Sequence, residues 1–225
     1  MLLHRNGLLK GALVWCGSVV VAASVGTAHA QADANLSVNA QLLAAARQSD
    51  MAQLERTLSQ GAAPDSRNRL GKTALLTGAE KGNLAMAERM LKAGADVNLA
   101  SLEGVTPLMA ASYAGSAPLV QRLLAAGAKT DPLDRNKRPA MVYAAGQGHA
   151  AIIAMLIGAG VDVNAAYEHQ LTALMWAAGQ GRVDAVKLLL ERGACADAKD
   201  DRGLSALDMA RQAGHAPVAA ALQVN

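Results

Sequence analysis

A period of 33 residues constrains this chain more than any other feature of its sequence. The start of a helix recurs in the same slot of six successive units, namely Ala40, Thr73, Thr106, Pro139, Thr172 and Ser205. A glycine that ends a second helix recurs at Gly61, Gly94, Gly127, Gly160 and Gly193. No insertion or deletion interrupts this register, and such self-similarity is typical of a solenoid of stacked units.

Residues 104–131 show what one period encodes. Thr106 is a helix N-cap, and Pro107 occupies the first helical position, where its missing N–H costs nothing. Gly115 supplies a left-handed residue at the end of this helix, and Gly127 does the same for a second helix. Two short helices cannot bury their apolar faces alone, so neighbouring units must stack. The sequence therefore predicts an all-α solenoid of about six helix–turn–helix units.

The composition fits closely packed helices. Phenylalanine is absent, and the chain has only three tyrosines and two tryptophans, so its core must consist of Ala, Leu, Val and Met. Of the 21 basic residues, Arg5 and Lys10 lie near the N-terminus, and the other 19 stand against 18 acidic residues, a net charge of +1. This balance, without a basic stripe, does not indicate nucleic-acid binding.

Residues 1–30 are predicted to be a secretory signal peptide. Two basic residues are followed by an uncharged, mostly apolar run, and Ala28-His29-Ala30 supplies the small residues before a cleavage site. The mature chain would then begin at Gln31 with a short polar leader, residues 31–38. An uncleaved membrane anchor is the alternative, although the glycines and other small residues weaken the run as a membrane span.

The units resemble the ankyrin repeat. The Thr-Pro-Leu-His motif of that family stands here as Thr106-Pro107-Leu108-Met109, followed by paired alanines and by Leu123-Leu124. The family's closing run is intact as Gly94-Ala95-Asp96-Val97-Asn98. The resemblance implies an ankyrin-repeat solenoid in which hairpin-like fingers protrude between the helix pairs. It also implies that the fingers and the exposed faces of the first helices line a concave groove.

The resemblance covers residues 39–225 and divides them into six units. The predicted units are 39–71, 72–104, 105–137, 138–170, 171–203 and 204–225. The first and last units carry polar residues where the inner ones have small residues, as the terminal caps of a solenoid do.

The fourth unit departs most from the pattern. It has Lys137 where a finger glycine is expected, Pro139 in the capping slot and Gly146 inside its first helix. Gln170 replaces the glycine of the next finger. Relaxed drift is the favoured explanation, because a propensity cost of ~1 kcal/mol is tolerable. An adjustment of these fingers for a partner is the alternative.

No pattern in the sequence indicates catalysis, a metal or a cofactor. Residues 146–151 match a loose G-x-G-x-x-A fingerprint, but they lie between two helices rather than after a strand, as a dinucleotide site requires. His149 and His215 share one slot two units apart, roughly 20 Å from each other, so they cannot bind one metal ion together. Both are expected to be solvated or to cap helices. Cys195 is expected to be a small buried residue.

The groove that the resemblance implies is the predicted binding surface for a protein partner. Its twelve candidate residues are Arg69, Leu70, Lys72, Leu102, Glu103, Tyr113, Arg135, Asn136, Arg138, Glu168, His169 and Arg202. Exposed Leu, Tyr and Arg together are typical of protein-binding surfaces, and an ordinary mixed surface is the alternative for any one of them. Tyr113 is the predicted central anchor. Tyr143 and Trp176, which share a slot in adjacent units, could stack, and they are predicted to be core residues first and binding anchors second.

These observations predict a non-enzymatic interaction protein, monomeric and exported to a bacterial periplasm or beyond. Some small exported ankyrin proteins of bacteria accompany catalases in oxidative-stress defence, so the resemblance implies an accessory role of that kind. A secreted effector that acts on host proteins is one alternative. A haem-handling accessory protein is another, and the missing ligand constellations argue against it.

Overall fold

The computed structural model of the protein describes residues 37–223, and within this range it consists of α-helices with one short 3₁₀ turn, Glu168–Gln170. The helices are α1 (37–48), α2 (Met51–Ser59), α3 (Ala74–Glu80), α4 (Leu84–Lys92), α5 (Pro107–Ala114), α6 (Ala117–Ala125), α7 (Ala140–Gln147), α8 (Ala150–Gly158), α9 (Ala173–Gly179), α10 (Val183–Glu191), α11 (Ala206–Gln212) and α12 (Ala216–Gln223). The predicted signal peptide and residues 31–36 lie outside the described range. The helix α1 begins at residue 37, two residues before the start of the predicted first unit.

The predicted caps start the first helix of most units. The Thr106 hydroxyl accepts a hydrogen bond from the Met109 N–H at 3.2 Å, and Thr73, Thr172 and Ser205 make the same bond in their own units. Such a bond satisfies one of the N–H groups that have no partner within the helix. Gly115, at φ 77°, ends α5 in the left-handed conformation. The predicted start and stop of this helix are therefore confirmed.

The helices form two layers that together bury one continuous core. The first helices α3, α5, α7, α9 and α11 stack in sequence, and the second helices α4, α6, α8, α10 and α12 form the other layer. The residues two positions after the helix-start slot are fully buried at Leu75, Leu108, Met141 and Leu174. Each such side chain contributes about 2 kcal/mol by burial. The predicted all-α solenoid is confirmed.

Side chains in one slot connect the first helices α5, α7 and α9 to the unit that follows each of them. His149 Nε2 lies 3.2 Å from the Tyr113 carbonyl oxygen, and His215 Nε2 lies 3.2 Å from that of Gly179. Arg182 donates from Nε to the Gly146 carbonyl oxygen at 2.9 Å. These carbonyls lie in the last turn of a helix, where they lack a partner within it. The two histidines therefore cap helices, as one of the two predictions for them stated.

The departures predicted for the fourth unit are present, with one correction. Lys137 adopts φ 56°, and Pro139 precedes α7 without a side-chain capping bond. Gln170 adopts φ 59°. Gly146 is not peculiar to this unit, because Gly179 occupies the same slot within α9.

The position of Cys195 corrects the prediction of a buried residue. Its side chain is exposed, and its backbone N–H donates to Asn164 Oδ1 at 2.8 Å. The slot that it occupies carries Asp96, Lys129 and Asp162 in other units, and all three are exposed. The slot therefore faces solvent whichever residue fills it. Within residues 37–223, none of the helices has the length and apolar character that crossing a membrane would require.

Candidate functional site

Five hairpin-like fingers connect the units, as predicted. We number them finger 1 (residues 67–72), finger 2 (100–105), finger 3 (133–138), finger 4 (166–171) and finger 5 (199–204). A backbone hydrogen bond of 3.0–3.1 Å closes the stem of each finger, from the N–H of its second residue to the carbonyl four residues later. These second residues are Asn68, Ser101, Asp134, Tyr167 and Asp200. We call this position the turn slot.

The side chain in the turn slot holds the turn together in four of the five fingers. Asp134 Oδ1 accepts hydrogen bonds from the backbone N–H groups of Asn136 and Arg138 at 2.9 and 2.8 Å. Asn68 and Asp200 make the same two bonds, and the Ser101 hydroxyl makes one of them. Short polar side chains stabilise turns in this way. A tyrosine cannot do so, because its hydroxyl lies too far from its own backbone.

Finger 4, which has Tyr167 in the turn slot, therefore folds differently. Its tip is the 3₁₀ turn Glu168–Gln170, in which both His169 and Gln170 are left-handed, at φ 60° and 59°. The other fingers place one residue in this region, and in three of them it is a glycine. A left-handed conformation costs a residue other than glycine about 1–2 kcal/mol.

Finger 3 has the most extensive polar network. The buried Asp134 carboxylate accepts from Tyr143 Oη at 2.6 Å and from Arg138 Nη2 and Nε at 3.0 and 3.2 Å. The Arg138 guanidinium also lies 5.0 Å from the centre of the Tyr143 ring. Burial raises the pKa of Asp134, but hydrogen bonds from Tyr143 and Arg138 outweigh it and leave the pKa below its ordinary value. Burial and the bond to Asp134 raise the pKa of Tyr143 to about 12.

The fingers are also joined to one another by backbone hydrogen bonds. The Leu102 N–H donates to the Leu70 carbonyl at 3.0 Å, Arg135 to Glu103 at 2.9 Å, and Asp201 to His169 at 3.1 Å. The equivalent bond between finger 3 and finger 4 would run from the N–H of residue 168 to the carbonyl of residue 136. Within residues 37–223 that bond is not formed.

A second connection is missing at the same junction. At the base of the other finger pairs, the Asp65, Asn98 and Asn164 side chains accept from the N–H groups of residues 96, 129 and 195, at 2.8–2.9 Å. Asp131 occupies this slot below finger 3 but makes no such bond to Asp162 in the described structure. Pro132 follows it, lacks an N–H, and disfavours the backbone conformation that the other units use there.

The fingers and the exposed faces of the first helices line a groove, which is the surface that we consider functional. Near α1 it widens into a cavity of about 620 Å³, whose charged lining residues are Arg47, Arg67, Arg69, Lys72 and Glu80. These five residues carry a net charge of +3. A second cavity of about 260 Å³ lies between finger 3 and finger 4, and we call it the junction cleft.

Ten of the twelve predicted binding residues are exposed in this groove. Two are half-buried because they form ion pairs: Lys72 with Glu80 at 2.6 Å and Arg138 with Asp134 at 3.0 Å. Exposed members of the set also form ion pairs, namely Arg135 with Glu103 and Arg202 with Asp200, and His169 Nδ1 lies 3.4 Å from Asp201 Oδ2. The structure therefore places the predicted residues along one groove. Arg138 is held by its bond to Asp134, so it stabilises the turn of finger 3.

The aromatic residues are arranged differently from the prediction. Tyr143 packs edge-on against Tyr113, with ring centres 6.0 Å apart, and this is the aromatic pair found among the described residues. The predicted stack of Tyr143 on Trp176 is therefore wrong. Tyr143 points its hydroxyl at Asp134, which orients it away from that arrangement. Tyr113 itself remains 56% exposed in the groove.

A family model described as "Ankyrin repeats (3 copies)" matches the chain in overlapping segments, at residues 41–134, 78–167, 110–200 and 141–223. Together these matches span most of the sequence. The chain belongs to the ankyrin-repeat family. A search of curated proteins found no match. Ankyrin repeats are protein-interaction modules.

Two residues that shape this ankyrin groove, Pro132 and Tyr167, are not among the predicted ones. Both carry a signal in the 33-residue register. In the turn slot, Tyr167 is the equivalent of Asn68, Ser101, Asp134 and Asp200. At the base of the fingers, Asp131 is the equivalent of Asp65, Asn98 and Asn164, and it alone is followed by a proline. The two positions whose residue types differ from those of all equivalent positions therefore lie at the junction cleft.

Proposed function

We propose that the protein is an exported, non-enzymatic adaptor that binds a protein partner in its ankyrin groove. The distribution of exposed apolar side chains carries this proposal. In the described structure, the large apolar residues that are most exposed are Leu70, Leu102, Leu133 and Tyr113, at 47–63%. Three lie on fingers and the fourth lies on α5, so the second helices contribute none of them. Exposed apolar groups gathered on one face are typical of interaction sites.

Export is the second part of the proposal, and residues 1–30 support it by their sequence. The basic start, the apolar run and Ala28-His29-Ala30 are the features of a cleavable signal. We expect N-terminal mass spectrometry of the exported protein to find Gln31 as its first residue. An intact N-terminus recovered with the membrane fraction would contradict this part. The first partner class to test is a stress-defence enzyme of the same compartment, such as a catalase.

A double variant tests whether the groove binds the partner. Tyr113→Ala removes the exposed ring, and Arg135→Glu reverses a charge that is 66% exposed and paired only with exposed Glu103. Binding of the co-purified partner should weaken by ~2 kcal/mol or more, because anchor residues dominate interface energies. The fold should remain, since the Tyr113–Tyr143 contact contributes about 0.5–1.5 kcal/mol.

A matched control carries two changes on the second helices. Glu88→Ala and Lys187→Glu alter exposed residues of α4 and α10, outside the groove. This control should bind like the unmodified protein and should change the free energy of unfolding by at most about 0.5 kcal/mol. Equal recovery of the partner with the groove variant and with the control would refute the groove as the binding surface.

A further inference from the structure

The junction between finger 3 and finger 4 differs from the other junctions of the groove in two independent connections. The backbone bond at the finger tips is missing there, and so is the side-chain bond at the finger base. Tyr167 accounts for the first change, because it cannot organise the turn that would present the N–H of Glu168. Pro132 accounts for the second. The absence of both connections therefore follows from the residue types at two positions.

The space between these fingers is the junction cleft, and its lining is partly aromatic. Its walls include Tyr167, Leu171 and Trp176, which are half-buried, and its rim includes Lys137, Glu168 and His169, which are exposed. Lys137 and Arg138 stand against Glu168 in this lining, a net charge of +1. Among the described residues, Lys137 has no ion-pair or hydrogen-bond partner for its side chain. The cleft thus combines an aromatic and aliphatic interior with an unpaired cation at its edge.

The corresponding space below finger 3 is closed by polar contacts. There the slot pair is Asp134 and Tyr143, which share a hydrogen bond of 2.6 Å. In the next unit the same two slots hold Tyr167 and Trp176, and no hydrogen bond links their side chains within the described structure. Because both have polar atoms on large apolar rings, they can contact apolar groups and still offer donors to a ligand. Tyr167 and Trp176 therefore replace a hydrogen-bonded pair with two side chains that are not bonded to each other.

We propose that the junction cleft receives one aromatic side chain from an acidic, extended segment of the protein partner. This inference rests on the proposed function and specifies where in the groove the partner is recognised. The volume of about 260 Å³ is smaller than the roughly 300–1,000 Å³ of pockets for drug-sized ligands, so it suits a single side chain. Tyr167 and Trp176 would contact the ring of that side chain in the edge or offset arrangements that aromatic groups prefer.

Charge and backbone groups at the rim define the rest of the segment. Lys137 attracts a carboxylate beside the aromatic residue, and the basic cavity near α1 extends the positive potential along the groove. The carbonyl of Asn136 and the N–H of Glu168 occupy the positions through which other finger pairs bond to each other, and among residues 37–223 they have no backbone partner, so an extended segment can bond to them. Extended peptides bind exposed backbone groups in this way, while pockets select their side chains.

The test uses a phage-displayed library of random linear heptapeptides as the probe. The full chain with Trp15→Phe is the target, so that Trp176 is its single tryptophan. The selected peptides should contain an aromatic residue next to Asp or Glu. Their binding should change the fluorescence of Trp176. Failure to select any binder, or binders without an aromatic residue, would overturn the proposal.

A closing variant then connects binding to the cleft. Tyr167→Asp with Gln170→Gly restores the residue types that Asp200 and Gly203 supply in finger 5, and it should rejoin finger 3 to finger 4. We expect peptide affinity to fall at least 10-fold while the melting temperature rises. Lys137→Ala should weaken the acidic peptides about 3- to 10-fold. Lys187→Ala, on the second helix α10 and outside the groove, is the matched control and should change affinity less than 2-fold.

The outcomes separate the cleft from the groove as a whole. Unchanged peptide affinity in the closing variant, with a raised melting temperature, would show that the altered fingers reflect drift and would overturn the proposal. If the natural partner is lost by the Tyr113→Ala, Arg135→Glu variant but retained by the closing variant, the groove function stands and the cleft inference fails. Loss of the partner in both variants supports the cleft.

Discussion

Finger 3 and finger 4 lie one period apart and share the same stem hydrogen bond, but they differ in what stabilises the turn. In finger 3, Asp134 accepts bonds from two backbone N–H groups, an arginine and a tyrosine, and its turn places a single residue in the left-handed region. In finger 4, Tyr167 accepts none of these bonds, and two consecutive residues are left-handed. The comparison teaches that one slot decides whether a finger is closed by polar contacts or left open beside a cleft.

The largest expected effect comes from removing the centre of the finger 3 network. Asp134→Ala leaves the Arg138 guanidinium, the Tyr143 hydroxyl and two backbone N–H groups without their shared acceptor. Breaking a buried charge pair in this way should lower the free energy of unfolding by about 3 kcal/mol. Chemical denaturation followed by circular dichroism measures the loss.

Tyr167→Ala is the counterpart in finger 4, and it should cost less because no hydrogen bond is lost. Its cost should come only from the apolar contacts of a half-buried ring. Equal losses of unfolding free energy in the Asp134 and Tyr167 variants would contradict this contrast. They would mean that the polar network of finger 3 contributes nothing beyond packing.

Alkaline titration provides a second, smaller measure of the contrast. Burial raises the pKa of Tyr143 and of Tyr167 to about 12, helped by Asp134 in the first case and by the charge of Asp162 in the second. Between pH 10 and 12 the folded chain therefore holds protons that the unfolded chain has released, so stability should fall as the pH rises through this window. Ultraviolet absorbance of tyrosinate follows both groups.

The same titration in two variants assigns each raised pKa to its finger. Asp134→Ala should lower the pKa of Tyr143 towards its ordinary value and leave Tyr167 unchanged, while Asp162→Ala should do the reverse. A Tyr143 pKa that stays near 12 without Asp134 would show that burial alone sets it.

The smallest expected effect concerns the left-handed residues. Lys137→Gly and Gln170→Gly each relieve a strained backbone conformation, offset partly by the greater freedom of glycine in the unfolded chain. Each should raise the free energy of unfolding by roughly 0.5 kcal/mol. A gain above about 1.5 kcal/mol for Gln170→Gly alone would show that finger 4 stores more strain than its dihedral angles indicate.

The fold was predictable because its determinants are local and repeated. Caps such as Thr106, terminal glycines such as Gly115 and the buried slot of Leu108 act within one unit, and every unit repeats them. The position of Cys195 was not predicted, since a free cysteine is usually buried and only the slot that it occupies shows that it faces solvent. The charged residues Asp96 and Asp162, which occupy the same slot in other units, indicate that this slot is exposed.

The groove was predictable as a surface, but its internal differences were not. The binding set follows from which slots face outward, and ten of its members are exposed. The junction cleft instead depends on bonds between units that fail to form, and those bonds involve backbone groups that every residue has. Only the geometry shows that Pro132 and Tyr167 remove them at one junction and that Tyr143 turns towards Asp134 rather than Trp176.

The bonds between units also determine how a gene for such a chain can change its length. Asp65 binds the N–H of Asp96, and Asn98 binds that of Lys129, so each acceptor meets a donor 31 residues later. Deleting residues 72–104 as a block would bring the N–H of Lys129 to Asp65, where an equivalent bond can form. A loss or duplication between Asp65 and Asp96 whose length is not a multiple of 33 would instead separate this donor from its acceptor. Recombination in whole blocks of 33 codons is therefore the change that this architecture can absorb.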